Sequence, residues 1–275
     1  MKVKIGLLGL GTVGSGVYSI IQNHQKELRQ QVGCEVEVTK ILVRDLEKKR
    51  SVDVPVALFT TEADDILENS EIDIVVEVMG GIEQSKAYLI RALKNKKHIV
   101  TANKDVIAEH GAELLKLAKD QGCDLFYEAS VGGGIPIIRS LKDGFASDKI
   151  TKMMGIVNGT TNYILTKMSQ EGMSYEMALA KAQALGFAEP DPTSDVEGLD
   201  AARKILILAK LGFSMNLELA DVYTVGISGV TAEDIQYTKQ LGFTLKLIGL
   251  ASRENGAVEV SVQPTLLPNA HPLAS

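Results

Sequence analysis

Through the first half of the chain, short apolar runs alternate with longer stretches in which apolar residues recur every three or four positions. The runs at 2–8, 35–43, 73–79, 98–102 and 124–128 predict strands. Between them, Val13, Val17, Ile20, Ile21 and Leu28 share one helical face. So do Val106, Ile107, Leu114, Leu117 and Ala118, in a helix that should stop at Gly122. Such alternation predicts βαβ units and a parallel sheet. After Glu128 the pattern changes, with Gly132, Gly133, Gly134 and Pro136 as punctuation. Beyond lie a β-rich stretch at 149–157, helices over 163–169, 174–185 and 198–211, and alternating strands near 243–251 and 256–262. The fold class read from this is α/β, with a parallel-sheet domain over 1–130 and an α+β domain over 131–275.

Gly9, Gly11 and Gly14 form G-x-G-x-x-G between the first strand and the first helix. In that context the motif predicts a Rossmann-type nucleotide domain, with the helix N-terminus facing a pyrophosphate. A glycine turn without a ligand is the competing reading. The end of the second strand reads ILVRDLEKKR, where Arg44, Lys48, Lys49 and Arg50 favour NADP and Asp45 leaves room for NAD. A solvated charge run would look the same.

Composition narrows the partners. With 275 residues, 45% hydrophobic, 23% charged and a net charge of −6, the chain has room for two domains and attracts neither nucleic acid nor an anionic membrane. The run 205–211 is interrupted by Lys210 and followed by Gly212, well short of the roughly 18 apolar residues a membrane helix needs. The opening MKVKIGLLGLGTVG has the charged flank of a signal peptide, but its glycines fit the nucleotide turn better. Cys34 and Cys123 have no metal-ligand spacing, and a reduced cytoplasmic setting follows as an expectation. The four histidines suggest neither a metal nor a catalytic dyad.

The segment GFAEPDPTSDVEGLDAARK gathers Glu189, Asp191, Asp195, Asp200 and Lys204, with Pro190 and Pro192 predicting a stiff non-helical lead-in. Asp200 and Lys204 stand four apart and share a helix face, which a plain surface ion pair explains equally well. NGTTNY, at 158–163, reads as a capped helix start with Asn158 or Thr160 accepting backbone donors.

Five separated segments resemble homoserine dehydrogenases: GLGTVG, TANKDVIAEHG, YEASVGGGIPII, IVNGTTNYIL and the acidic segment ending at Lys204. The resemblance implies reversible hydride transfer between NAD(P)H and aspartate 4-semialdehyde, giving homoserine, in threonine, methionine and isoleucine biosynthesis. It implies that Lys204 exchanges the proton with the substrate oxygen and that Lys104 lies beside it and the nicotinamide. It implies that Glu189, Asp195 and Asp200 bind the substrate's ammonium and hydroxyl groups. Cofactor contacts are implied for Gly9, Gly11, Thr12, Val13 and Gly14, and further on for Arg44, Gly80, Thr101 and Lys104. An ammonium beside a developing alkoxide both stabilises charge and supplies a proton. A second ammonium and partial burial would tune a lysine toward neutral pH.

By the same resemblance, Glu128 and the carbonyls of Val131, Gly133 and Ile135 are implied to hold a monovalent cation, usually sodium; a glycine hinge is the alternative. A homodimer or homotetramer is implied, as is a further catalytic segment beyond HPLAS, so that the substrate domain is expected to be incomplete at its C-terminus, with no ACT regulatory domain. An aspartate-semialdehyde dehydrogenase would need a nucleophilic cysteine with a positioned histidine, a context Cys123 lacks. A nucleotide-binding protein without catalysis is the reading from another class.

Overall fold

Strand β1 (Lys2–Leu8) is buried over its last four residues, the signature of a strand covered on both faces. In the computed structural model, which describes residues 2–274, it lies inside a six-stranded sheet ordered β3-β2-β1-β4-β5-β6. The partners are β2 (Glu35–Leu42), β3 (Phe59–Thr60), β4 (Ile74–Glu77), β5 (His98–Thr101) and β6 (Leu125–Phe126), and every pairing is parallel. Around the sheet run α1 (Thr12–Asn23), α2 (Gln25–Val32), α3 (Asp64–Leu67), α4 (Glu83–Lys94) and α5 (Lys104–Gln121). This is the Rossmann order, whose direction of travel reverses between β1 and β4 and leaves a crevice at their carboxyl ends. Ile5, Leu7, Val38, Ile41 and Val76 are buried under Tyr18 and Ile21 of α1. Helix α5 stops at Gly122, which takes the left-handed conformation at φ 68°.

The chain divides into two compact units, Met1–Gly134 and Ile135–Ser275. The sequence reading placed the break after residue 130; the contacts place it after Gly134, inside the glycine cluster. The strands at 73–79 and 124–128 shrink to β4 and β6, and the two-residue β3 was not predicted because so short a run carries no periodicity.

The second unit holds a sheet ordered β7-β9-β10-β8. Strands β7 (Lys152–Gly155), β9 (Phe243–Glu254) and β10 (Ala257–Pro268) pair antiparallel, whereas β8 (Tyr223–Thr224) joins β10 in parallel. The hairpin is longer than the alternation suggested, and it turns on Asn255 and Gly256, both at positive φ as a tight two-residue turn requires. The helices are α6 (Ile137–Arg139), α7 (Gly159–Glu171), α8 (Tyr175–Ala184), α9 (Thr193–Val196), α10 (Leu199–Phe213) and α11 (Ala232–Gln240). Helix α10 packs on β9 and β10 with Ala201, Ala202, Ile205, Leu206, Ile207, Leu208, Ala209 and Phe213 buried. An all-round apolar helix of this kind belongs at a core.

Candidate nucleotide cleft and acid–lysine cluster

At the carboxyl ends of β1, β2 and β4 opens a cleft of about 450 Å³. Its wall includes Gly9, Gly11, Arg44, Asp45, Lys48 and Met79. Gly9 turns at φ 104°, and a Cβ there would stand 3.0 Å from the Val78 carbonyl. A Cβ on Gly14 would come within 2.2 Å of the Gly9 carbonyl, so this glycine exists for packing; around Gly11 there is open space. Helix α1 begins at Thr12 and Val13 without a side-chain cap and without an acid in its first turn, so nothing there competes with an anion for the helix N–H groups. The shape and donor set fit a dinucleotide pyrophosphate.

The cationic loop is less uniform than its sequence. Arg50 donates to the carbonyls of Asp45 (2.5 Å) and Lys48 (2.6 Å) and lies 4.6 Å over the Phe59 ring, so it staples its own loop. Asp45 Oδ1 accepts the Glu47 N–H at 2.8 Å in a local turn. Arg44 and Lys48 line the cleft together with Arg50, while Lys49 is exposed and outside its wall.

Behind the loop after β4 lies a network that the sequence reading passed over. Glu77, fully buried, accepts from the Met79 N–H (2.9 Å), the Ser85 hydroxyl (3.2 Å) and the Thr101 hydroxyl (2.7 Å). Ser85 also donates to the Gly80 carbonyl at 3.1 Å, and Asn103 Nδ2 donates to the Gly81 carbonyl at 2.7 Å. The network fixes Gly80 and Gly81, both at positive φ. Thr101, named above as a cofactor contact, has its hydroxyl engaged with Glu77 and with the Asn103 N–H. Asn103 caps α5, which makes half-buried Lys104 its first residue. An acid ending an otherwise apolar strand was the sequence signal for Glu77.

In the second unit Asp195 and Asp200 meet on one asparagine, and Lys204 joins them through Asp200. Lys204 Nζ donates to Asp200 Oδ2 at 2.6 Å and to the Val157 carbonyl at 3.0 Å. Asn158 Nδ2 donates to Asp195 Oδ1 at 2.7 Å and to Asp200 Oδ2 at 2.9 Å. The Lys204 side chain is 21% exposed and that of Asp200 only 9%, so this pair is no plain surface ion pair. Asn158 caps α7 as predicted, but Thr160 does not; its hydroxyl donates to the Phe187 carbonyl.

The lead-in to α10 differs from the expectation of a wholly non-helical segment. Asp195 lies in α9, a single helical turn that Pro192 starts, as a proline tolerates the first turn. That turn is pinned by the Ile227 N–H to the Val196 carbonyl at 2.7 Å, and a Cβ on Gly226 would come within 2.3 Å of the same oxygen. No pattern in the sequence pointed to Gly226. Asp191 accepts the Thr193 hydroxyl (2.6 Å) and N–H (3.1 Å) on Oδ1, which together hold its carboxyl below the usual carboxylate range. Glu189 is exposed, and its carboxylate makes no hydrogen bond or ion pair with the other described residues.

Around the glycine cluster, Glu128 opens a single 3-10 turn, Val131 is buried, and Gly132 and Gly134 take positive φ on either side of Gly133. Ile135 is 64% exposed and begins the second unit. Among the described residues no group of three or more His, Cys, Asp and Glu side chains could hold a metal ion. The cation reading asks for one carboxylate and three carbonyls, a different donor set. No helix among the described residues is long and apolar enough to cross a membrane.

Two family models match: the homoserine dehydrogenase NAD-binding domain over residues 9–128 and homoserine dehydrogenase over residues 136–275. A homoserine dehydrogenase of Bacillus subtilis is 62% identical over 273 residues, covering 99% of this chain and 63% of its own length. The chain thus spans a little under two thirds of that relative. The structure of a homoserine dehydrogenase from Thiobacillus denitrificans superimposes with a TM-score of 0.95 at 40% identity, covering 100% of this chain and 63% of the other. A hyperthermophilic archaeal homoserine dehydrogenase, in complex with NADPH, gives a TM-score of 0.82 at 28% identity, covering 100% of this chain and 85% of its own. With a parallel sheet in the Rossmann order, a glycine turn shaped for a pyrophosphate and both family models matched, the chain belongs to the homoserine dehydrogenase family.

Proposed function

We propose that the protein interconverts L-homoserine and L-aspartate 4-semialdehyde with NADP as the preferred cofactor. The observation that carries the reading is the Lys204 ammonium, held against Asp200 and the Val157 carbonyl by two of its three N–H donors. The third donor is the one assigned to the substrate oxygen. As negative charge grows on that oxygen during reduction, the ammonium stabilises it and delivers the proton; in oxidation Lys204 takes the proton back. A bound nicotinamide supplies or accepts the hydride.

Asp195, Asp200 and Glu189 are assigned to the substrate's ammonium and hydroxyl groups, for which carboxylates are the matching acceptors. Lys104 is assigned to the nicotinamide and the reacting oxygen. Gly9, Gly11 and the first turn of α1 would hold the pyrophosphate, and Arg44 and Lys48 a 2′-phosphate. Glu128, with the carbonyls of Val131, Gly133 and Ile135, is assigned to a sodium ion of structural, not catalytic, role. A homodimeric or homotetrameric assembly and a cytoplasmic setting complete the proposal, the latter supported by two unbridged cysteines.

NADPH consumption with L-aspartate 4-semialdehyde and with simple aliphatic aldehydes tests this. We expect turnover with the semialdehyde alone, faster with NADPH than with NADH, and Arg44→Ala should lower kcat/KM for NADPH roughly tenfold while leaving NADH nearly unchanged. Turnover of simple aldehydes at equal rates would contradict the substrate; an equal loss with both cofactors would contradict the role of Arg44.

A further inference from the structure

We infer that Asn158 is a positioning residue of this reaction, an amide bridge that sets the spacing of Asp195 and Asp200 and, through Asp200, the placement of Lys204; the inference rests on the function proposed above. The orientation of the amide is determined by its surroundings. Its Oδ1 accepts the Thr161 N–H at 2.8 Å and the Thr161 hydroxyl at 2.8 Å, and only an oxygen can accept the backbone donor. The amide nitrogen must then face the acids, and each of its two N–H groups reaches one carboxylate.

Asp200 Oδ2 accepts from both Asn158 and Lys204, so one oxygen atom ties the amide to the ammonium. Asn158 is 5% exposed, and in so dry a place these bonds are stronger than in water. Two carboxylates brought to one amide repel each other, and without the donor between them they would part or draw in water. The anchor is stiff because the same side chain caps α7, and its partners come from elements 37 and 42 residues away. An amide in this place adds no negative charge beside the two acids, which a third carboxylate would.

A helix cap alone would explain Asn158 differently, and the two roles separate under substitution. Serine and aspartate cap helices about as well as asparagine, but neither presents two N–H donors to the acids. We expect Asn158→Ser, which keeps the cap but loses both bonds to the acids, to melt roughly 3–10 °C lower with NADPH affinity within about twofold. Its kcat with L-aspartate 4-semialdehyde should fall roughly 10- to 100-fold, more than any change in KM. Asn158→Asp, which sets a third carboxylate against the other two, should lose more activity than the serine variant and should also melt lower. An aspartate variant as stable and active as the parent would overturn the inference, since a cap predicts that outcome.

A readout independent of turnover completes the test. In the parent chain both side-chain amide protons of Asn158 should exchange with solvent at least about tenfold slower than those of exposed asparagines by NMR. Exchange as fast as an exposed asparagine overturns the bridge whatever the kinetics show. Protected amide protons in a parent that does not turn over L-homoserine or the semialdehyde overturn the proposed function, and the positioning role with it.

Discussion

Gly11 and Gly14 serve the nucleotide turn in different ways, and a methyl group on each separates them. At Gly14 the added carbon would meet backbone, the Gly9 carbonyl at 2.2 Å, so the turn or the helix must shift. We expect Gly14→Ala to destabilise the chain by about 1–3 kcal/mol and to weaken NADPH binding, as read by thermal melting and fluorescence titration. At Gly11 the space is open, so Gly11→Ala should melt like the parent while still losing NADPH affinity, because its methyl group occupies the approach of the pyrophosphate. Equal melting losses in both variants would contradict this division of roles. The glycine spacing made both residues legible in the sequence, as the charge pattern did Asp200 and Lys204. Asn158 was legible only as a cap: its bonds to Asp195 and Asp200 cross 37 and 42 residues, a distance that no local pattern carries. Arg50 was legible as a cation of the cleft wall, but not the carbonyls that hold it, since a cation in a run gives no sign of which it will take.

Among the elements, those with many apolar positions were plain in the sequence. Helix α10 is buried on nearly every side, and its apolar positions also fix where Asp200 and Lys204 stand at its first turns. Helix α11 was overlooked although Thr231 and Asp234 form a capping box at its start, because only Ile235 and Thr238 of the helix are buried and its apolar stripe is thin. Strand β8 joins β10 through two residues, too few for a period to show.

Strand β9 carries an unexpected buried cation, Lys246, 4% exposed and donating to Asn162 Oδ1 at 2.9 Å and to the Thr166 hydroxyl at 3.4 Å on α7. Burial pushes its pKa below the ordinary 10.5. Between that lowered value and 10.5 the unfolded chain holds the proton more often than the folded chain, so stability rises with pH through this window. Denaturant unfolding at several pH values should show the parent gaining up to about 1.4 kcal/mol per pH unit more than Lys246→Met. Parallel pH dependences for the two would show that Lys246 titrates normally.

At the scale of the whole chain, the alternation of strand and helix and the change after Glu128 were enough to read a parallel-sheet unit followed by an α+β unit. What the sequence left open was how far each element runs and which side chains close the networks around Glu77 and Asn158. Those depend on packing between elements distant in sequence. The proposed function assigns NADPH to the nucleotide cleft and proton transfer to Lys204. Its most direct test measures NADPH affinity and turnover of L-aspartate 4-semialdehyde on the same sample, for the parent and for Lys204→Ala. We predict equal NADPH affinity, equal melting temperature and a kcat lower in the variant by roughly 10²- to 10⁴-fold. A folded Lys204→Ala variant whose kcat stays within a few-fold of the parent would contradict the account.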